Sequence, residues 1–358
     1  MDAARIVPVD PGDLERFLDV PETVEGGDPG FIPPLRAVVR AELLGRAAPG
    51  GALQAFRCER GGRDVGRVAA LVVPRLTDGR GAPLGQVGFY ACADDGEASR
   101  ALLDAALAWL RARGAREALA PMNGGVHRAH RLMTRGFERS PFLLEPRNPP
   151  WVAGQLLAAG FAPIHRWTTY ELARAELPPL RDVLRRLAGR AAGLSVQFID
   201  AGPETLARFH ALLDRVWAGH PGWAPFPLEE LAATFGALLP LLPPRHLAVL
   251  LDERGRDAGI GFMFPDWADE VRALGGDASG WGRWMGRARA RRVVAHTVAI
   301  APEVRGRAAH AKVIAAGLDV ALDAGYESLV FPLTTETFRF WDRRLTPTRE
   351  YALYGRVV

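Results

Sequence analysis

The chain has 358 residues, 48% hydrophobic and 24% charged, enough apolar material for the cores of two ordinary domains. Its net charge of +4 rests on arginine interleaved with acids over the whole length, Lys312 being the only lysine, which argues against a nucleic-acid partner. The most apolar run, Phe235–Leu251, is cut by Pro240, Pro243, Pro244 and Arg245 short of the ~20 residues that a membrane-spanning helix needs; with no signal pattern at the N-terminus and only Cys58 and Cys92, far apart, a cytoplasmic protein without disulfides is expected.

In chain order, the pattern predicts a strand at Arg5–Val9 and a helix at Gly12–Leu18, then a Gly/Pro-rich loop holding Phe31–Leu35. Phe56–Glu59 and Val65–Val73 flank a turn with two glycines and read as a hairpin. Gly85–Ala93 is the next strand, and Asp94, Asp95 and Glu97 open a helix over Ala98–Arg113 that Gly114 ends. Leu102, Leu103, Ala106 and Leu110 place one face of that helix on a sheet. Glu117–Met122 follows as a strand, Trp151–Gly160 as a short helix and Ile164–Leu172 as a last strand. A connecting segment, Ala173–Gly193, contains a predicted helix, Pro179–Ala192.

From Leu194 the order repeats. It runs through a strand at Leu194–Ile199, a helix at Pro203–Val216 with Leu206, Phe209, Leu213 and Val216 on one face, and a hairpin of Leu247–Leu251 with Ala258–Phe264. Then come a strand at Val293–Ile300, a helix at Ala308–Ala324, a strand at Ser328–Leu333, a short helix at Phe338–Arg344 and a final strand at Arg349–Val358. The expected fold is α/β, an internal duplication with domains at 1–172 and 194–358 joined by 173–193. Each unit is a mixed, largely antiparallel sheet flanked by helices.

The stretch from Val298 to Arg307, strand into Pro/Arg/Gly turn into helix, is a natural phosphate site, because the turn feeds basic side chains and free amides into a helix N-terminus. It resembles the coenzyme A loop of the Gcn5-related N-acetyltransferases, and the resemblance covers most of the second half. By that resemblance Val298 and Ile300 present their main chain to the pantetheine arm, while Arg305, Gly306, Arg307, Ala308, Ala309 and His310 cradle the phosphates of acetyl-CoA or another acyl-CoA. Ala308 and His310 stand where the family usually has two small glycine-like positions. Gly88-Phe89-Tyr90, Asp94-Asp95, Pro121-Met122-Asn123, Arg135 to Glu138 and Asn148 to Trp151 resemble a bacterial branch of the same superfamily over about Val65–Leu172. Asp94, Asp95 and Glu97 would repel a phosphate there, so the first copy is expected to be degenerate.

The family's acid, a tyrosine on the short helix after the fifth strand, is absent from Thr337–Trp341. Tyr351 and Tyr354 are the substitutes, and Tyr351 is the acid candidate. His296 and Glu336 are candidate bases. His220 to Trp223, with Trp217 and Pro225, can wall an acceptor pocket, and Trp267, Trp281 and Trp284 flank Arg283, Arg287, Arg289, Arg291 and Arg292 as a candidate anion grip. His127 and His130, three apart and so able to share a helix face, lack partners at metal-ligand spacing, so no metal site is expected. No hydrolase elbow, P-loop or zincin motif occurs. The resemblance implies transfer of an acyl group to an amine of a small molecule or peptide, with no membrane partner and the oligomeric state left open. A catalytically silent binding protein, or an enzyme taking its acyl group from a carrier protein or an aminoacyl-tRNA, are the alternatives.

Overall fold

The computed structural model describes residues 2–44, 51–277, 279 and 289–358. The first copy comprises β1 (Arg5–Pro8), α1 (Leu14–Glu25), α2 (Arg36–Leu43), β2 (Ala52–Arg60), β3 (Arg63–Thr77), β4 (Pro83–Cys92), α3 (Gly96–Arg111), β5 (Glu117–Ala120), β6 (Leu132–Arg135), α4 (Val152–Ala158) and β7 (Ala162–Ala173). The connecting helix α5 spans Leu177–Ala188. The second copy comprises β8 (Ser195–Phe198), α6 (Pro203–Trp217), α7 (Leu228–Phe235), β9 (Leu247–Leu251), β10 (Asp257–Pro265), α8 (Ala268–Ala273), β11 (Arg292–Ile300), α9 (Ala309–Asp323), β12 (Ser328–Thr335) and β13 (Arg349–Val357).

The helices form where the apolar period places them. Leu102, Leu103, Ala106 and Leu110 of α3 are all buried, against Val68, Val87 and Ala118 of the first-copy sheet. Leu206, Phe209, Leu213 and Val216 of α6 do the same over Val249, Ile260 and Val294. On the opposite face of the second-copy sheet, α9 and α5 pack together over Val293, Leu329 and Phe331.

The two copies share one sheet, in the order β1-β2-β3-β4-β5-β13-β7-β12-β11-β10-β9-β8, with β6 against β13. Each copy's closing strand has crossed into the other half. The first copy's β7 pairs antiparallel with β12, and the second copy's β13 pairs antiparallel with β5. The two crossed strands also pair with each other, Tyr351 opposite Trp167. The division at 173–193 therefore separates the repeats in sequence while the sheet runs through it.

Two short elements depart from expectation. The predicted helix at Phe338–Arg344 is a run of turns, because Phe338, Phe340 and Trp341 gather on one another and on His310 instead of forming a helical stripe. His127 and His130 lie on a loop, not on a shared helix face.

Candidate functional site

Among the described residues two strand pairs in the sheet are parallel, and each ladder runs for three residues. In the first copy β4 and β5 pair at Leu84–Gln86 with Glu117–Leu119. In the second, β11 and β12 pair at Arg292–Val294 with Ser328–Val330. Beyond those points each pair opens into a wedge, at whose wide end a helix begins.

The first wedge is closed by the chain itself. Met122 N–H donates to Val87 O (3.0 Å), and Phe89 N–H donates to Asn123 Oδ1 (2.8 Å). Further along the same edge Trp151 Nε1 donates to Cys92 O (2.9 Å) and Gln155 Nε2 to Ala93 O (2.7 Å). A Cβ on Gly88 would stand 2.5 Å from Met122 O, so the two chains touch where a ligand would have to pass. The helix beyond is capped internally: Asp95 accepts from Glu97 N and Ala98 N, and its other oxygen faces Arg60 at 3.3 Å.

The second wedge is open. Ala301 N–H donates to Ala258 O, which makes that opposed pair a bonded one. Alternation along an antiparallel ladder then turns the main chain of Val298 and Ile300 away from β10, towards the gap. Val298 is exposed, and no hydrogen bond from the β12 side reaches its main chain among the described residues. The turn that follows has Gly306 at φ 79° and Ala308 at φ 55°. A Cβ on Gly306 would meet nothing within 4 Å. The amides of Gly306 to His310 have no partner of ordinary hydrogen-bond geometry among the described residues, and no side chain caps α9. This row of unpaired donors at a helix start suits an anion.

The two arginines of the turn do not point into that row. Arg305 donates from Nε to Ile300 O (2.9 Å) and from Nη2 to Val216 O (2.7 Å), tying the turn to the end of α6. Arg307 pairs with Glu253 and donates to Ala192 O (2.9 Å). His310 packs edge-on against Phe338 and Phe340, with Nε2 buried and unpartnered, and burial lowers its pKa. Beside the wedge, Ala295, Thr297, Val298, Val313 and Phe331 line a cavity of about 30 Å³, room for about one water.

Across the mouth of the open wedge, both copies contribute side chains. The loop after α6 brings His220 within 5.3 Å of the His165 ring and 5.7 Å of Trp167. Trp217, the last residue of α6, and Trp223 of that loop stand edge-to-face at 5.3 Å. His165 Nδ1 lies 3.3 Å from Glu336 Oε1, and its Nε2 is 2.8 Å from Thr335 Oγ1. Burial and the Arg131 charge push the His220 imidazole down to about 4, and His165 is also lowered, chiefly by burial. Arg131 itself lies over Trp167 at 4.6 Å, its Nε buried without a partner and no carboxylate against it among the described residues.

The sequence candidates thus fall in different places. Glu336 is at the mouth, with His165. His296 sits on β11 between the rings of Phe235, Phe262 and Phe264, bonded through Nδ1 to Thr297 Oγ1 (2.9 Å), and burial holds it down to about 4. Tyr351 is buried, and its hydroxyl donates to Glu145 Oε1 (2.5 Å); that contact and burial raise its pKa. Tyr354 is buried in the first-copy core. Trp281, Trp284, Arg283 and Arg287 lie outside the described residues. Arg292 is held by Asp266 (2.5 Å) and Glu171 (3.2 Å), and Arg291 by Glu327 (2.5 Å), so neither is free to grip an anion. His165, Thr335 and Arg131 were not anticipated. The only sequence signal for His165 is its alternation with Trp167 along one face of β7.

A duplicated sheet with two parallel wedges, each leading into a helix, is the tandem Gcn5-related N-acetyltransferase fold. Over 99% of this chain it superimposes on a tandem protein of that kind from the clavulanic acid biosynthesis pathway, at TM-score 0.53 and 16% identity, covering 98% of that protein. It also matches, at TM-score 0.58 and 15% identity, the Gcn5-related glucosamine N-acetyltransferase region of a fungal multi-domain GH3 β-N-acetylglucosaminidase, 99% of this chain spanning 38% of that longer one. By sequence it is 25% identical over 339 residues to the bacterial ceramide synthase of Caulobacter vibrioides, covering 90% of this chain and 88% of that one. No family model matches the chain.

Proposed function

We propose that this chain is an acyl-CoA-dependent N-acyltransferase whose second copy holds the donor and whose first copy, with its wedge stitched shut, shapes the acceptor side. The contrast between the wedges carries this reading. Where the first copy fills its β4 edge with Asn123, Trp151 and Gln155 and its helix start with Asp95, the second leaves the main chain of Val298 and the start of α9 unfilled among the described residues, with Ile300 O taken by Arg305 Nε (2.9 Å). An extended pantetheine arm can pair with the main chain of Val298 as an added strand does, and further along the edge once Arg305 gives up Ile300 O. The pyrophosphate then meets the amides from Gly306 to His310, while Arg305 and Arg307 hold the turn in shape. The acceptor is a long-chain amino alcohol, the amine of which a ceramide is the N-acyl derivative. Support comes from the Caulobacter relative and from the apolar wall of Trp167, Trp217, Trp223 and Leu333 at the mouth.

The test is thermal. Acyl-CoA should raise the melting temperature by mass action, and Ala308→Asp should abolish the rise while leaving the ligand-free chain as stable as before. That substitution imitates the first copy by putting a carboxylate at the helix start, and position 308 has a positive φ that Asp tolerates better than most residues. Product formation from acyl-CoA and a long-chain amino alcohol, read by mass spectrometry, should be lost in parallel. The smallness of the cavity beside the wedge favours a second reading, a silent copy. No thermal shift with any acyl-CoA from acetyl to palmitoyl would decide for it.

A further inference from the structure

Thr335 and Glu336 are adjacent in sequence and touch opposite nitrogens of one imidazole. The ring belongs to His165, which sits 170 residues away on the first copy's crossed strand. The carboxylate at 3.3 Å from Nδ1 selects the tautomer with its proton there, and Nε2 is left as an acceptor that takes the Thr335 hydroxyl proton at 2.8 Å. Glu336 is itself fixed, because its Oε1 accepts from Arg166 N (3.1 Å) while its own N–H donates to Arg166 O (3.1 Å). This is the order carboxylate, imidazole, hydroxyl that activates a hydroxyl in unrelated enzymes, recognised by geometry and not by chain order. It lies where β12 has already parted from β11, next to His220 and Trp167, and Glu336 opens to solvent.

We propose that Glu336, His165 and Thr335 form a proton relay for acyl transfer, Thr335 being the group that meets the acceptor amine. This rests on the acyltransferase reading above. As the amine nitrogen bonds to the thioester carbon, its proton passes to Thr335 Oγ1, whose own proton moves to Nε2 of His165. Collapse of the tetrahedral adduct breaks the C–S bond. The thiolate leaves with that electron pair and takes the proton back from the imidazolium through the same hydroxyl. Amine and thioester become amide and thiol with no other reactant. Glu336 is a positioning residue, since it orients the ring and supports its positive charge. Burial, and after it the neighbouring cation of Arg131, oppose that charge, so the resting ring is neutral and able to accept. Among the described residues His296 has no such carboxylate, being packed among phenylalanines, and Tyr351 is already bonded to Glu145.

The experiment is steady-state N-acylation of a long-chain amino alcohol by palmitoyl-CoA, over pH 5 to 9, alongside the palmitoyl-CoA thermal shift of each variant. His165→Ala and Thr335→Val are expected to lower kcat by about a hundredfold or more, the range for a positioned acid–base group, with the thermal shift intact. Thr335→Ser should stay within about tenfold of the parent, because it keeps the hydroxyl. Glu336→Gln, nearly isosteric and half-exposed, should lower kcat and move the acid limb of the profile to lower pH, as the ring loses the charge that favours its protonated form; a merely structural role would leave that limb in place. Parent-like kcat in His165→Ala or Thr335→Val, an unmoved limb in Glu336→Gln, or a palmitoyl adduct on Thr335 by intact mass would each overturn the relay. Loss of the thermal shift in the parent would instead sink the donor site, so the two failures are distinguishable.

Discussion

Arg131 brings a charge that no protein environment removes into the mouth of the wedge. Around it stand Trp167, the neutral imidazoles of His130, His165 and His220, and Tyr351, whose acidity burial suppresses. A cation so placed, without a carboxylate against it among the described residues, costs stability. Removing it should therefore stabilise the chain: Arg131→Met, similar in length and able to lie on Trp167, is expected to raise unfolding free energy by on the order of 1 kcal/mol or more. Chemical denaturation of the two proteins decides this. A Met variant less stable than the parent would mean that the guanidinium has a partner inside the mouth or that its stacking on Trp167 outweighs its desolvation.

Among the elements, α3 and α9 are the same helix in two states of use. Asp95 satisfies the first amides of α3, and such a cap contributes about 0.5–2 kcal/mol. Asp95→Ala should therefore destabilise the chain by that amount without creating a second acyl-CoA site, because Asn123, Trp151 and Gln155 still occupy the β4 edge. Two donor equivalents bound to Asp95→Ala in a calorimetric titration would contradict the stitched wedge. This contrast was half legible in the sequence. Carboxylates at 94, 95 and 97 against none from 304 to 310 mark the difference in charge, and the apolar periods of α3 and α6 mark the buried faces. What closes the first wedge comes from Asn123, Trp151 and Gln155, 34 to 62 residues beyond the positions they bond, as no local period records. The His165 contact with Thr335 is hidden for the same reason. The short β6 carries too few residues for an alternation to show, and the aromatic-rich run after β12 reads as a helix until its rings are seen to cluster.

At the scale of the whole molecule, the crossed strands make two repeats into one folding unit. β13 supplies the strand between β5 and β7, and β7 supplies the outer neighbour of β12. A buried carboxylate strengthens the tie: Glu230 of α7 receives His127 Nε2 (2.8 Å), Arg75 (2.8 Å) and Arg128 (3.0 Å) from the first copy. The intact chain should therefore melt in one cooperative transition despite its length, where two independent domains would give two. Fragments 1–193 and 194–358 test the point directly. The first lacks β13, leaving β5, β6 and β7 with open ladders in the middle of a sheet; the second keeps β13 without any of those three partners and exposes the edge of β12, an arrangement prone to wrong pairing. Neither should fold alone, and co-expression should recover a stable complex that retains the palmitoyl-CoA shift. If 194–358 by itself gave a sharp transition and bound the donor, the sheet would not be the unit of stability. The His165 relay, which needs a strand from the first copy beside a turn from the second, would then be an accessory to an already complete site.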